Sequence, residues 1–533
     1  MAKAARLFLG LDSSTQGLKA VAVDDALKIV HESSVNFDAD LPAFRTQGGV
    51  HRGADGLTVT TPPILWVTAM DLLFERLQRE SFPFAAVAAI SASGQQHGSV
   101  YWKKGAQKRL KALRPDRTLR EQLEAVFAVT ESPVWMDSST TAECRAREAA
   151  LGGAQAVANV TGSRAYERFT GNQIAKIARE QAAAYEATER ISLVSSFIAT
   201  LLMGDYAPID LSDGSGMNLL DIRRKAWDSR ALKVTAPGLA ERLGEPVPSH
   251  VVAGRIGPQF RRRYGFAPEC AVITASGDNP CSLAGLALRR PGDIAISLGT
   301  SDTLFAALSD PKPSGREGHL FVNPIDPAGY MALICYKNGS LTREAVRQAV
   351  RAENWNAFGA LVARTAPGNG GRIGFYIREP EITPPILKAG TFRFGPEGEP
   401  VSEFSPEVEA RAVLEGQFLS MRLHASAVGI APATILATGG ASVNPAVLRV
   451  MADVFGVPVF RGDVPNSAAL GAAYRACHGW RCAEKKAFVP FAEVVAAVPG
   501  ATKAADPDAA AHAVYTQSLL KYAELEKRVT ACI

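Results

Sequence analysis

The chain is 533 residues long, 47% hydrophobic and 21% charged, proportions of an ordinary folded protein of more than one domain rather than a disordered one. Its net charge of +5 is too small for this length to point to a nucleic-acid or membrane partner. Seven cysteines, odd in number, scattered and without a CxxC pair, are expected as free thiols of a reducing, cytoplasmic compartment.

Residues 7–24, LFLGLDSSTQGLKAVAVD, run from an apolar stretch through a turn of Gly, Ser and Thr into an alternation of Leu18, Ala20 and Ala22 with Lys19, Val21 and Val23. That pattern predicts a strand, a small-residue hairpin and a second strand. The apolar stretch meets Asp12 too early to be the core of a signal peptide. A bend of small hydroxyl residues turns backbone N–H groups and hydroxyls inward, a geometry suited to phosphate oxygens, although one such bend alone is equally an ordinary β-turn. Residues 27–37 predict a third strand, and residues 38–61 a polar loop of a length that is uncommon without a function.

Pro62 and Pro63 suit a helix start, and Leu65, Ala69, Leu72, Leu73 and Leu77 give one apolar stripe through Gln78. Residues 85–91 read as a buried strand running into Ser93-Gly94-Gln95-Gln96-His97-Gly98. Two glutamines and a histidine between glycines offer donors and acceptors to hydroxyl groups; the plainer alternative is a surface loop with a solvated histidine. Residues 103–124 form a basic, helix-forming insert whose charges read as a solvated face. Residues 134–139, VWMDSS, predict a strand feeding a helix capped by Asp137 or a following serine.

The apolar stretch 191–203 falls short of the roughly 20 residues of a membrane span. Residues 208–221 read as a turn-rich connection in which Gly214-Ser215-Gly216 is too short for a nucleotide fingerprint, and no GxxxxGK[ST] occurs, so an ATP site must have another architecture. Residues 273–305 hold one carboxylate, Asp278, in a Gly/Asn/Pro turn, then a basic connector, Arg289-Arg290-Pro291-Gly292, expected as a hinge. At 293–308, DIAISLGTSDTLFAAL repeats the strand, hairpin and strand of the N-terminus, which implies a duplicated domain with one phosphate-binding turn in each copy.

Pro367 to Gly371 reads as a flexible turn, and residues 407–427 as an amphipathic helix. Residues 435–460 show strand, Thr438-Gly439-Gly440-Ala441-Ser442 turn, a helix from Asn444-Pro445, and a strand, with glycines that admit a ligand close to the backbone. The small residues of NSAALGAAY, 466–474, are expected to pack against a flat group such as adenine. Cys477 to Cys482 lacks a second pair of metal ligands and reads as a helix end.

The motifs LDSSTQGLKAVAVD, RTQGGVHRGADGLTVT, SGQQHGSVYWK, PVWMDSSTTAEC, GSRAYERFTGNQIAKI, LSDGSGMNLLDI, SGDNP, ISLGTSDTLF, ATGGASVN and LGAAYRA, in this order, resemble the FGGY-type carbohydrate kinases. The resemblance runs nearly end to end and weakens after about Lys485. It implies an α/β fold of two duplicated actin-like (ribonuclease H-like) ATPase domains with a central cleft: a sugar-binding domain over 1–288, a nucleotide-binding domain over 289–488 and a helical tail over 489–533. It implies ATP-dependent phosphorylation of a small ketose, D-xylulose, by a monomer or homodimer.

By the same resemblance Asp278 is the general base, and Gln96, His97, Arg168, Asp278 and Asn279 hold the sugar. Trp355 lines the adenine site, and Gly439, Gly440, Ala441 and Asn444 contact the nucleotide. Asp12 holds Mg²⁺ or its waters, while Ser13, Ser14, Thr15, Thr300 and Ser301 donate to phosphate. The chain departs from the family where Lys176 is followed by Ile177-Ala178-Arg179 rather than a Trp, and where Pro465-Asn466-Ser467 replaces an acidic residue. A kinase of ribulose or glycerol, or an actin-like nucleotide-driven binding protein, would share the hairpins.

Overall fold

The first strand, β1 (Leu7–Ser13), is buried at every residue, so it needs cover on both faces. It pairs antiparallel with β2 (Gly17–Val23), which pairs antiparallel with β3 (Ile29–Asn36). On its other side β1 pairs in parallel with β4 (Val87–Gly94). The computed structural model describes residues 6–288, 290–462 and 464–531; Arg289 of the expected hinge and Cys532 lie outside the described residues. It divides into two units, one of Met1–Arg289, Leu320–Tyr330 and Asn466–Val498, the other of Arg290–His319, Met331–Pro465 and Pro499–Ile533.

In the first unit β5 (Val252–Arg255) and β6 (Ala271–Ile273) complete a sheet of order β5-β6-β4-β1-β2-β3, and the short β7 (Ser276–Gly277) pairs in parallel with β4. The helix Pro63–Arg79 begins on a proline at its first turn and buries Leu65, Trp66, Ala69, Leu73 and Leu77 at helical spacing against β2 and β3. The helices Val194–Met203 and Ser467–Lys485 both pack on β1 and β4. Small residues carry the second of these contacts. A Cβ on Gly471 would lie 1.8 Å from the Cys281 carbonyl oxygen, and one on Gly285 would lie 2.0 Å from that of Ser467. The small residues 466–474 therefore seat the helix Asp278–Gly285 within the first unit, not a flat ligand.

Residues 38–61 are more ordered than a bare loop. Asp38 accepts from Thr46 Oγ1 at 2.6 Å and from the Gly48 and Gly49 amides at 2.6 and 3.1 Å. Gly49 has a φ of 79°, and a Cβ there would meet the Thr15 carbonyl oxygen at 1.9 Å, so this loop lies directly on the first hairpin. Asp137 is not a helix cap: the helix Thr141–Leu151 starts from Thr140, and the Asp137 carboxylate accepts instead from the Val59 amide, Ser139 and Gln173. The basic insert forms two short helices, Ala106–Lys111 and Leu119–Leu123.

The second unit repeats the local plan. Strands β8 (Asp293–Leu298) and β9 (Asp302–Leu308) form the second hairpin, β10 (Thr434–Thr438) runs parallel to β8, and β11 (Val459–Arg461) runs parallel to β10. Strand β12 (Thr502–Ala505) closes that edge antiparallel, and the C-terminal helix Ala509–Ala531 then packs on the helices Pro406–Ala427 and Pro445–Phe455. Tyr515 donates to Glu415 at 2.7 Å, and His424 bridges Glu317 and Glu526. Among the described residues, no helix is long and apolar enough to cross a membrane.

Candidate functional site

Parallel pairing in the first unit sets three strand ends side by side. Asp12 is opposite Ser93 and Ser13 opposite Gly94, while Ser276 and Gly277 of β7 face the same two residues of β4. The residues that follow these ends are Ser14-Thr15, Gln95-Gln96-His97 and Asp278-Asn279, so the carboxyl ends of parallel strands gather them at one place.

Asp278 is the first residue of its helix, and one carboxylate oxygen, Oδ1, is held by three donors: the Asn279 amide at 2.8 Å, Asn279 Nδ2 at 3.2 Å and the Gln96 amide at 3.3 Å. Burial, and then the charge of Asp12, push the Asp278 carboxyl up to about 7 despite those bonds. Gln96 is buried and engages both ends of its amide, accepting from Asn279 Nδ2 at 2.8 Å and donating to Asp213 at 3.5 Å.

Asp213 escaped the sequence reading because LSDGSG looks like a connection. It is buried in the short helix Leu211–Ser215 and accepts from Ser195 at 2.5 Å. Burial, then the neighbouring Asp210, raise its carboxyl well above the usual range, with Asp278 adding to the effect. The only signal in the sequence is a carboxylate among small residues that can pack tightly.

His97 sits in the left-handed region at φ 71° with Nδ1 2.9 Å from the Gly216 carbonyl. Burial, and then the Arg168 charge, lower its pKa to about 3, so the ring is neutral at neutral pH. A neutral ring that donates from Nδ1 presents Nε2 as an acceptor. The Arg168 guanidinium lies 5.2 Å from the Tyr166 ring centroid and 5.8 Å from that of Phe169.

At the first hairpin Asp12 is buried and its Oδ1 has no hydrogen-bond partner. Burial raises its pKa against the pull of the Ser93 hydroxyl and Lys19, its cross-strand neighbour. An orphaned carboxylate oxygen beside a hydroxyl-rich turn fits Mg²⁺ or a water of its shell, since Mg²⁺ takes one or two carboxylates plus phosphates rather than a protein cage. Ser13 Oγ is likewise buried without a partner. The Ser14 hydroxyl donates to the Gly17 carbonyl at 3.1 Å and closes the hairpin. Thr15 Oγ1 accepts from the half-exposed Trp135 indole at 2.8 Å, which leaves its own proton to give.

In the second unit Thr300, Trp355, Gly440, Ala441 and Asn444 line one cavity of about 500 Å³, together with Ser340, Asn356 and Val443, which the sequence did not single out. Ser301 and Gly439 adjoin that lining without belonging to it. Asn444 spends its Oδ1 as the cap of the helix Pro445–Phe455, accepting from Ala446 at 2.9 Å and Val447 at 3.3 Å, so what it can offer a ligand is its NH₂. Two hydrogen-bonding turns, an aromatic wall and a capped helix start in one cavity suit a phosphorylated, partly flat ligand.

Residues 127–285 match the N-terminal domain of the FGGY family of carbohydrate kinases, and residues 294–480 its C-terminal domain. The xylulose kinase of Mus musculus is 53% identical over 527 residues, 98% of this chain and 94% of that one. Xylulose kinase 2 of Arabidopsis thaliana is 49% identical over 502 residues, covering 92% and 90%. Among solved structures, the xylulose kinase of Rhodospirillum rubrum superposes with a TM-score of 0.79 at 19% identity, covering 98% of this chain and 99% of that one. The glycerol kinase of Plasmodium falciparum with ADP gives 0.74 at 15% identity, covering 98% of each.

Proposed function

Since the chain belongs to the FGGY family of carbohydrate kinases, we propose that it transfers the γ-phosphoryl group of ATP to a primary hydroxyl of D-xylulose, giving D-xylulose 5-phosphate and ADP. The observation that carries the mechanism is the state of Asp278. A sugar hydroxyl must lose its proton as its oxygen attacks phosphorus, and a carboxyl poised near 7 accepts that proton at neutral pH. With Oδ1 fixed by Gln96 and Asn279, Oδ2 is the oxygen that takes it. The new O–P bond forms as the bond to the β-phosphate bridging oxygen breaks, and the electron pair leaves on ADP.

Gln96, His97, Arg168 and Asn279 hold the remaining hydroxyls. In the second unit Thr300 and the Gly440-Ala441 turn take phosphates, Asn444 donates from its NH₂, and Trp355 packs on the base. Mg²⁺, held through Asp12, supplies neutralisation of the β- and γ-phosphate charge when bound. The six described cysteines are free thiols, which supports a reducing compartment, the cytoplasm. Coupled measurement of ADP release with Mg²⁺-ATP against a panel of ketoses and polyols tests this reading. Turnover highest with D-xylulose supports it; preference for ribulose or glycerol, or sugar-independent hydrolysis, refutes the assigned substrate.

A further inference from the structure

We propose that Asp302 and Arg343 are a positioning pair that holds the phosphate turn of the second unit in register with the start of the helix Ser340–Ala349. The inference rests on reading the cavity beside them as the nucleotide site. Asp302 directly follows the Gly299-Thr300-Ser301 turn and stands opposite Leu298 in the hairpin. Its carboxylate and the Arg343 guanidinium are both fully buried and meet through two parallel bonds of 2.6 and 2.9 Å.

The same guanidinium reaches two further elements. It donates to Ser340 Oγ at 2.9 Å and to Gln417 Oε1 at 2.9 Å, and Gln417 in turn donates to the Asn338 carbonyl at 2.7 Å. The Ser340 amide closes the link by donating to the Gly299 carbonyl at 2.8 Å. Gly299, Thr300 and Ser340 all line the cavity, so one planar fork fixes both polar walls of it. The approach is close enough that a Cβ on Gly339 would fall 2.7 Å from the Thr300 carbonyl and 2.8 Å from Asp302 Oδ1.

Stability alone is a weak reason for such a pair. Buried ion pairs can often be exchanged for apolar side chains of similar volume without loss, and here Arg343 also leaves Nε buried without a partner. What an apolar pair cannot supply is the fixed geometry between the turn and Ser340. Neither residue touches the cavity, so both act through the backbone they hold.

The test compares wild type with Arg343→Lys, which keeps the charge but loses the fork, and with the apolar double variant Asp302→Leu/Arg343→Met. ADP affinity is read by calorimetry, KM for ATP and for the ketose by coupled assay, and folding by thermal melting. Expected is a cooperative melt with ADP affinity weakened and KM for ATP raised by about tenfold or more, while KM for the ketose stays within about twofold. Folded variants that bind ADP as wild type does overturn the inference alone. Loss of folding in both variants also overturns it, because the pair is then a structural necessity only. Wild type that binds no ADP overturns the underlying nucleotide reading as well.

Discussion

Lowering the pH through neutrality should cost this kinase activity in a way that an ordinary carboxylate base would not. Asp278 must be ionised to accept the sugar proton, and burial, then the charge of Asp12, hold its pKa at about 7. A raised carboxyl pKa means the competent form is full above 7 and lost below it. At pH 6 about one Asp278 in ten is ionised in the enzyme free of metal and nucleotide, so the apparent kcat/KM for the ketose, measured with Mg²⁺-ATP far below its KM so that it reports that free form, should be about tenfold below its plateau and fall with unit slope. An unperturbed aspartate, with a pKa of about 4, would leave the same ratio flat from pH 8 to pH 6. His97 adds no limb in this window, because burial and Arg168 keep it neutral down to about 3. The assay is a pH series of coupled initial rates from 5.5 to 8.5 with folding checked at each end. A profile flat to pH 5.5 would refute the assignment of a buried, charge-coupled carboxyl as the base.

Trp355→Ala should raise KM for ATP by about tenfold or more with KM for the ketose unchanged, since stacking of a base on an aromatic ring is worth about 1–3 kcal/mol; steady-state kinetics in both substrates check it. Gly471→Ala places a Cβ 1.8 Å from the Cys281 carbonyl and should push the Asp278 helix aside, costing about 1–3 kcal/mol in urea unfolding together with turnover. His424 gives a stability dependence of opposite sense to a carboxylate. Burial lowers its pKa, but hydrogen bonds to Glu317 and Glu526 overcome this and leave it at about 9. Its folded pKa lies above the unfolded value of about 6.5, so about 3 kcal/mol of stability is present below pH 6.5 and lost as pH rises through 9. Urea titrations at pH 6.5 and 9.5 on wild type and His424→Gln should differ accordingly, with the variant losing most of the pH dependence.

What could be read from the sequence was local chemistry. A turn of Gly, Ser and Thr between alternating strands has one economical conformation, so both hairpins, the Asp278 turn and the start of the helix at Pro445 were visible without knowledge of their neighbours. The partners of those residues were not. The small residues of 466–474 announce close approach, and only the fold shows that the thing approached is the Asp278 helix. That helix Ser467–Lys485 returns to the first unit is a long-range fact with no local signature.

Hydrogen-bond commitments were hidden for the same reason. Ser14, Asn444 and Gln96 are residue types that bind phosphates or sugars, but each also satisfies a backbone or side-chain group that folding would otherwise leave bare. Ser14 closes its own hairpin, Asn444 caps a helix, and Gln96 links Asn279 to Asp213. Asp137 ties the loop at Val59 to Gln173 rather than capping the next helix, a role set by segments far apart in sequence. Asp213 was overlooked because its importance comes from the company of Ser195 and Gln96, both distant in sequence, and of Asp210, the cap of its own short helix.

The most direct test of the account is turnover of D-xylulose by Asp278→Asn beside wild type, with sugar binding followed separately by calorimetry. The account predicts that turnover falls by about 10²–10⁴-fold while the variant still folds and still binds the sugar. Turnover near that of wild type would contradict Asp278 as the base and the mechanism built on it.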